Sequence, residues 1–254
     1  MNDLFKFEKG DEDFPFYNGK PLLSNVDWLI LFAGVLLFIA VLEIINIPYE
    51  YCPLTYFLVT FLPLAYVSRG KLGIFFKKPK TSDISTILKC FVGYWIYAII
   101  ALSILSILGG KSTSNAAVGA DMNMIFWINT FIQIMAEELL KLILLLIIMF
   151  IVYYFTQNRK KSVIISVLLT LLIFGLLHHT AYNNSWAQII FIIGLGSFFY
   201  LFAYLKTKNI VNSFIVHLMI DWFAFGMAAL STSALLSIPQ ISGMVLSLIW
   251  IIKL

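Results

Sequence analysis

The sequence predicts an all-α protein: a polytopic transmembrane helical bundle of about eight spans, with both termini cytoplasmic. The apolar composition, the length of the apolar runs and the placement of the cations between them support this prediction. Hydrophobic residues make up 61% of the 254 residues and charged residues 12%, against roughly 45 to 50% and about 25% in soluble domains. A single membrane domain over residues 1–254 is expected, because every polar stretch is too short for a soluble domain.

Eight apolar runs have the character of transmembrane segments. A helix needs about 20 residues to cross roughly 30 Å of hydrocarbon. The predicted spans are 28–47, 54–67, 87–108, 124–155, 162–179, 186–205, 210–230 and 234–252. The fourth would measure about 48 Å as one helix, so it is expected to tilt, to bend or to begin outside the hydrocarbon layer.

The basic residues lie in alternate connections. They precede the first span and follow the second, fourth, sixth and eighth, and Lys111 is the one cation in the other connections. The positive-inside rule assigns cation-rich connections to the cytoplasm, which makes residues 1–27 a cytoplasmic N-terminal segment. This segment is rich in carboxylates where a signal peptide would have a basic start, so the first span is expected to remain as an uncleaved anchor.

Composition also bears on partners and location. The net charge of +4 does not indicate nucleic-acid binding, because the cations are scattered through short connections. The partners expected are the lipid bilayer and a hydrophobic peptide or membrane-protein substrate. The cations are almost all lysine, and Ile, Phe and Asn are abundant. This usage is typical of an AT-rich genome, so the expected location is the plasma membrane of a low-GC bacterium, as a multi-pass protein.

The fourth span carries a polar stripe. Each charge at mid-bilayer costs roughly 2.5 to 3.5 kcal/mol on insertion scales, so ionisable residues there are expected to face the bundle interior. Asn129, Gln133, Glu137 and Lys141 recur at four-residue spacing on one helix face. Glu138 lies about 100° further round and can meet Lys141 at i+3. A neutralising pair between Glu137 and Lys141 at i+4 is the plain alternative to a functional site.

The three histidines lie in two further spans. His178 is on the fifth span, and the adjacent His179 is turned about 100° away, where an interfacial or core role is expected. In the seventh span His217 and Asp221 are one turn apart, and a mutual hydrogen bond would neutralise both. Acids and imidazoles from three helices in one cavity would supply hydrolysis, metal binding or a proton path.

These residues belong to three motifs in chain order. The motifs are EELLKL from Glu137, FGLLH ending at His178, and HLMID from His217 to Asp221. They resemble the patterns EExxxR, FxxxH and HxxxN or HxxxD of the CPBP family of intramembrane proteases, also called Abi. That family includes the type II CAAX prenyl proteases and bacteriocin-processing or immunity proteins. The resemblance covers about the C-terminal half and implies a catalytic core over residues 124–230.

The resemblance implies an intramembrane endopeptidase that cleaves a hydrophobic or membrane-associated peptide, in bacteriocin processing or self-immunity. Glu137 would be the general base that activates a water. His178 and His217 would bind a divalent metal such as zinc or stabilise the oxyanion, helped by Glu138 and Asp221. Whether Glu137 is also a metal ligand, or the reaction proceeds without a metal, is left open by the sequence.

One position departs from the family pattern. Leu142 stands where the family has arginine, and a cation appears one residue earlier as Lys141. A lysine paired with Glu137 would compete with the role of that carboxylate as a base. A non-catalytic membrane immunity or regulatory binding protein of the same family is therefore the alternative function. A proton-coupled transporter is a third possibility, which the three ordered motifs disfavour.

Overall fold

The structure is a computed structural model that describes residues 4–8, 12–17, 23–45, 47–110, 112–115 and 122–231. Seven helices run through these residues: α1 (Asn25–Glu43), α2 (Cys52–Val67), α3 (Thr81–Ile107), α4 (Met124–Thr156), α5 (Arg159–Leu176), α6 (Trp186–Thr207) and α7 (Ile210–Ser231). The same residues contain no strand, which confirms the all-α class.

Each of the first seven predicted spans coincides with one helix. Of the helices in the described residues, α1, α3, α4, α6 and α7 are long and apolar enough to cross a membrane. α2 has 16 residues, or about 24 Å of helix, and α5 opens with three cations that lower its mean hydropathy. These helices indicate a multi-pass membrane protein. The eighth predicted span, 234–252, lies outside the described residues, and the span count and orientation stay predictions.

α4 is the centre of the bundle. Its 33 residues measure about 50 Å, and it packs against α1, α2, α5 and α7. From Ile134 to Ile147 every residue is buried. A helix that is covered on all faces is surrounded by protein rather than lipid, so the ionisable side chains in its middle can meet partners from neighbouring helices.

The cation-bearing connections meet at one end of the bundle. We call this the basic end; it is formed by residues 68–80, the start of α5, and residues 208–209. Acidic residues of the N-terminal segment cover it. Glu8 accepts hydrogen bonds from Arg159, at 2.6 and 2.9 Å, and from Lys208 at 2.7 Å, and Asp13 lies 2.8 Å from Arg159. The ring of Phe14 lies under both cations, so the segment neutralises and covers Arg159 and Lys208.

The connection between α6 and α7 is recessed into the bundle. Lys208 and Asn209 are 3% and 2% exposed, and the Asn209 side-chain amide bonds both backbone groups of Lys77, at 3.1 and 2.9 Å. The Ile210 N–H donates to the carbonyl of Phe75 at 3.0 Å. The first turn of α5, by contrast, has exposed lysines.

The ion cluster at the basic end predicts how stability depends on pH. Burial alone would raise the pKa of Glu8, but hydrogen bonds from Arg159 and Lys208 lower it from 4.5 to about 2. A carboxyl whose pKa falls on folding stabilises the folded state above its ordinary pKa and loses that effect as pH falls towards the lowered value. Stability in mixed micelles is therefore expected to fall between pH 4.5 and pH 2, and Glu8→Gln should weaken this dependence.

At pH 7 the same Glu8→Gln variant should lose about 2 kcal/mol of unfolding free energy, because two buried cations lose a charged acceptor. Glu50→Gln is the matched control, since Glu50 is exposed at the opposite end of the bundle. Equal stability and equal pH dependence in the two variants would contradict the assigned role of Glu8.

Candidate active site

A polar cavity of about 280 Å³ lies among α3, α4, α6, α7 and the C-terminal end of α5. Four of the five residues predicted from the motifs line it: Glu137, His178, His217 and Asp221. The fifth, Glu138, lies behind the His217 ring. The three motif-bearing helices therefore bring their acids and imidazoles together.

Glu137 faces both imidazoles. Its Oε2 atom is 3.8 Å from Nε2 of His178 and 3.8 Å from Nε2 of His217. Its Oε1 atom accepts a hydrogen bond of 3.0 Å from Gln133, one turn earlier on α4. Gaps of 3.8 Å are too long for direct hydrogen bonds and suit an intervening water. Oε2 is thus the carboxylate oxygen available to a reacting molecule.

Hydrogen bonds at Nδ1 fix the orientation of both rings. The Nδ1 atom of His178 is 2.8 Å from the Phe174 carbonyl oxygen, which can only accept, so this nitrogen carries the proton. The Nδ1 atom of His217 is 2.7 Å from Oε1 of Glu138, and an ionised carboxylate also only accepts. In the neutral rings, Nε2 is therefore the unprotonated nitrogen, and each Nε2 atom lies 3.8 Å from Oε2 of Glu137.

Glu138 and Lys141 form a buried ion pair behind His217. The Lys141 Nζ atom is 2.5 Å from Oε1 of Glu138, and each side chain is 1% exposed. The ammonium lies 4.0 Å from the ring centre of Phe174 and 4.1 Å from that of Tyr200. The Tyr200 ring in turn stacks on the His217 ring with centroids 4.2 Å apart. Four helices thus contribute to one packed unit around a single ammonium.

This pairing bears on the departure from the family pattern. Lys141 pairs with Glu138 and not with Glu137, so the neutralising i+4 pair is not formed. Leu142, which stands at the arginine position, is fully buried in the apolar core. Within the described part of the chain, Glu137 has no lysine or arginine at ion-pair distance, and its carboxylate is not occupied by a fixed cation.

Asp221 and His179 occupy different environments. Asp221 lines the polar cavity with its Oδ1 atom 3.7 Å from Nε2 of His217, so the mutual hydrogen bond is not made. The Nε2 atom of His179 is 3.6 Å from Oε2 of Glu43 at the end of α1, and its ring stacks on Trp186. His179 therefore lies outside the cavity, on the side of α5 that its position in the sequence predicts.

Two connections add polar groups that the motifs do not indicate. Asn115, between α3 and α4, and Tyr182, between α5 and α6, both line the cavity. The Asn115 amide donates to the Tyr182 hydroxyl at 3.3 Å, and Thr113 donates to the Tyr182 carbonyl at 2.9 Å. Neither residue lies in a periodic segment, so spacing gives no signal for them.

Close contact between two helices places the end of α5. A Cβ atom on Gly175 would lie 2.7 Å from the Ile189 carbonyl oxygen and 2.8 Å from the Gly194 Cα atom, so the two backbones touch. α6 is a π-helix over Ile189–Gly194, a widening that is frequent at functional sites. Because Gly175 lies between Phe174 and His178, this crossing positions the histidine.

The side chains of His178, His217 and Glu137 are of the chemical types that bind a divalent metal, since imidazole nitrogens and carboxylates are common zinc ligands. At ligand distances of about 2.1 Å, tetrahedral ligand atoms stand about 3.4 Å apart, a few tenths of an ångström less than the gaps of 3.8 Å from Glu137. Among the described residues, no group of three His, Cys, Asp or Glu side chains has the spacing of a metal site. Metal binding by His178, His217 and Glu137 therefore stays a prediction.

Residues 120–223 match the family model described as type II CAAX prenyl endopeptidase Rce1-like. All three motifs lie within the matched range. The resemblance to the CAAX protease family is confirmed. The match indicates an intramembrane endopeptidase of the CAAX type, and helices α1 to α3 precede the matched range. No curated protein and no solved structure matches the chain.

The glycine crossing gives a direct test of how the site is positioned. Gly175→Ala should lower the unfolding free energy by about 1 to 3 kcal/mol, because the new Cβ atom would overlap backbone atoms of α6. The measurement is unfolding in mixed micelles. Gly226→Ala is the matched control: it is also in a helix, nothing lies within 4 Å of its Cβ position, and it should be neutral or stabilising. Equal stability of the two variants would contradict the close crossing.

Proposed function

We propose that the protein is an intramembrane endopeptidase in which Glu137 activates a water for attack on a peptide bond of a hydrophobic or membrane-associated substrate. The observation that supports this most directly is the position of the Glu137 Oε2 atom, 3.8 Å from the Nε2 atoms of both histidines. A carboxylate with no lysine or arginine at ion-pair distance among the described residues, next to two imidazoles in a polar cavity, is suited to general base catalysis.

In the proposed reaction, a water lies between Oε2 of Glu137 and the two Nε2 atoms. Glu137 removes one proton as the water oxygen bonds to the carbonyl carbon of the substrate. The same proton then passes to the amide nitrogen as the carbon–nitrogen bond breaks, which yields a carboxylic acid and an amine. Gln133 holds the Oε1 atom at 3.0 Å and thereby keeps Oε2 directed at the water.

The histidines orient the water and stabilise the charge that develops. A neutral Nε2 accepts the second hydrogen of the water, and a protonated Nε2 would donate to the oxyanion. Carboxylates lie on both sides of the His217 ring, Glu138 at Nδ1 and Asp221 3.7 Å from Nε2. Their negative charges would attract the positive charge of the ring when it holds a second proton. A divalent metal bound by His178, His217 and Glu137 would polarise the carbonyl and lower the pKa of a bound water.

The proposed setting is the plasma membrane of a bacterium, with a bacteriocin precursor or a peptide involved in self-immunity as the substrate. This part of the proposal rests on composition and on the family. The apolar part of the cavity wall, which includes Phe126, Ile134 and Phe225, is suited to a hydrophobic side chain next to the cleaved bond.

Replacement of the base tests the proposal. Glu137→Gln keeps the shape and the Gln133 neighbour but cannot take a proton, so cleavage should fall about 10²- to 10⁴-fold. The measurement is mass-spectrometric detection of fragments from membrane-anchored peptides incubated with the protein in vesicles. Glu43→Gln, outside the polar cavity, should retain activity. Biological protection that survives Glu137→Gln in a stably expressed protein would instead favour a binding function.

The adjacent histidines provide a matched control for the same assay. His178→Ala should abolish cleavage, because it removes one of the two Nε2 atoms that face Glu137. His179→Ala should retain it, because that ring contacts Glu43 and Trp186 outside the cavity. Equal losses in the two variants would show that the helix end, rather than the specific imidazole, is required.

The buried ion pair predicts a large effect at a position outside the reaction itself. Lys141→Met preserves the length of the side chain but leaves the Glu138 carboxylate buried without its cation. Removing one partner of a buried pair typically costs about 3 to 5 kcal/mol, which unfolding in mixed micelles would measure. Lys160→Met, at an exposed lysine, should change stability little. Similar stabilities of the two variants would contradict the pairing.

A further inference from the structure

A second cavity, of about 380 Å³, lies on a different face of α4 from the polar cavity. We call it the apolar cavity. Leu54, Phe57 and Phe61 of α2 line one side, and Phe131 of α4 and Phe214 of α7 line another. The three α2 residues lie on successive turns, so the cavity extends over about 10 Å along the bundle. A long, narrow, apolar space beside exposed Leu54 has the shape of a site for a flexible hydrocarbon chain.

The apolar cavity ends at two lysines. Lys77 and Lys78 line it at the basic end, and they also line a smaller polar pocket that adjoins it. We call the smaller space the basic pocket. Its wall contains five lysines and two carboxylates: Lys77, Lys78, Lys80, Lys206 and Lys208 with Glu12 and Asp83. The two spaces thus share a wall at Lys77 and Lys78; one is apolar and the other has excess positive charge.

Part of this positive charge is not neutralised by the protein. Lys77 pairs with Glu12, and Lys208 pairs with Glu8 at 2.7 Å. The other three lysines, Lys78, Lys80 and Lys206, have no ion pair with another described residue. The basic pocket can therefore accept an anion of one or two charges without displacing an internal pair.

We propose that these adjoining spaces together bind an anionic phospholipid, with an acyl chain in the apolar cavity and the phosphate at Lys78 and Lys206. A free phosphate would leave the apolar cavity unused, and an apolar peptide segment would leave the lysines unused. A phospholipid satisfies both, and basic residues at one membrane face attract anionic lipids by about 1 kcal/mol each. The bound lipid would also fill a gap between α2, α4 and α7. Of these helices, α4 and α7 line the polar cavity, and α2 packs against α4.

The test uses the full chain reconstituted in nanodiscs that contain equal amounts of phosphatidylglycerol and phosphatidylcholine, followed by native mass spectrometry of the lipids it retains. The protein should retain phosphatidylglycerol preferentially. The double variant Lys78→Gln with Lys206→Gln should reduce this preference about 25-fold, or fivefold for each lysine. The control is Lys160→Gln with Lys161→Gln, which removes the same charge from exposed positions at the same end and should leave the preference unchanged.

A second pair of variants tests the acyl chain. Phe57→Trp should reduce lipid retention by filling the apolar cavity, whereas Phe32→Trp, on an exposed face of α1, should not. Glycerol phosphate, which has the anionic group without a chain, should fail to displace the lipid at equal concentration. Equal retention of the two lipids by the wild type, identical behaviour of a variant and its control, or displacement by glycerol phosphate would each overturn the proposal.

Discussion

The buried ion pair between Glu138 and Lys141 is the constraint on which the centre of this structure depends. Two charges on a helix that is covered on all sides can remain there only if each has a partner, and the i+3 spacing lets them satisfy each other within α4. The pair also has an orienting effect, because the same Glu138 oxygen that meets Lys141 is 2.7 Å from Nδ1 of His217. The electrostatic cost of burying charge is thereby offset by contacts that set the geometry of the cavity.

The choice of partner for Lys141 separates two carboxylates that are adjacent in sequence. Glu138 points to the cation and to α7, while Glu137 points into the polar cavity and is held by a neutral amide at 3.0 Å. Lys141 stands at i+4 from Glu137, but its ammonium pairs with Glu138 at 2.5 Å, so no salt bridge to this lysine fixes the Glu137 oxygens. The two adjacent glutamates therefore have different partners: a buried lysine and a histidine for Glu138, and a neutral amide for Glu137.

The sequence predicted the helices and the residues of the site better than it predicted their depth. Apolar runs located seven helices, and inward-facing acids and imidazoles located four cavity residues, because the cost of charge in hydrocarbon leaves few alternatives. Counted along their predicted spans, His178 and His217 would lie at different depths. In the structure both Nε2 atoms lie 3.8 Å from Oε2 of Glu137, and α7 begins at a buried connection that Asn209 ties to Lys77. That contact joins residues far apart in the chain, and no local pattern encodes it.

The two ends of the bundle are stabilised by different kinds of contact, and each kind positions a different histidine of the site. At the basic end, carboxylates of the N-terminal segment pair with Arg159 and Lys208, which fixes the starts of α5 and α7 relative to each other. At the other end, neutral hydrogen bonds through Thr113 and Tyr182 join the connections, and the glycine contact at Gly175 sets the end of α5. The position of His178 depends on the contacts of Tyr182 and Gly175, and the position of His217 depends on the ion pairs at the basic end. The distance from each to Glu137 is therefore a property of the whole bundle, because α4, which carries Glu137, packs against both α5 and α7.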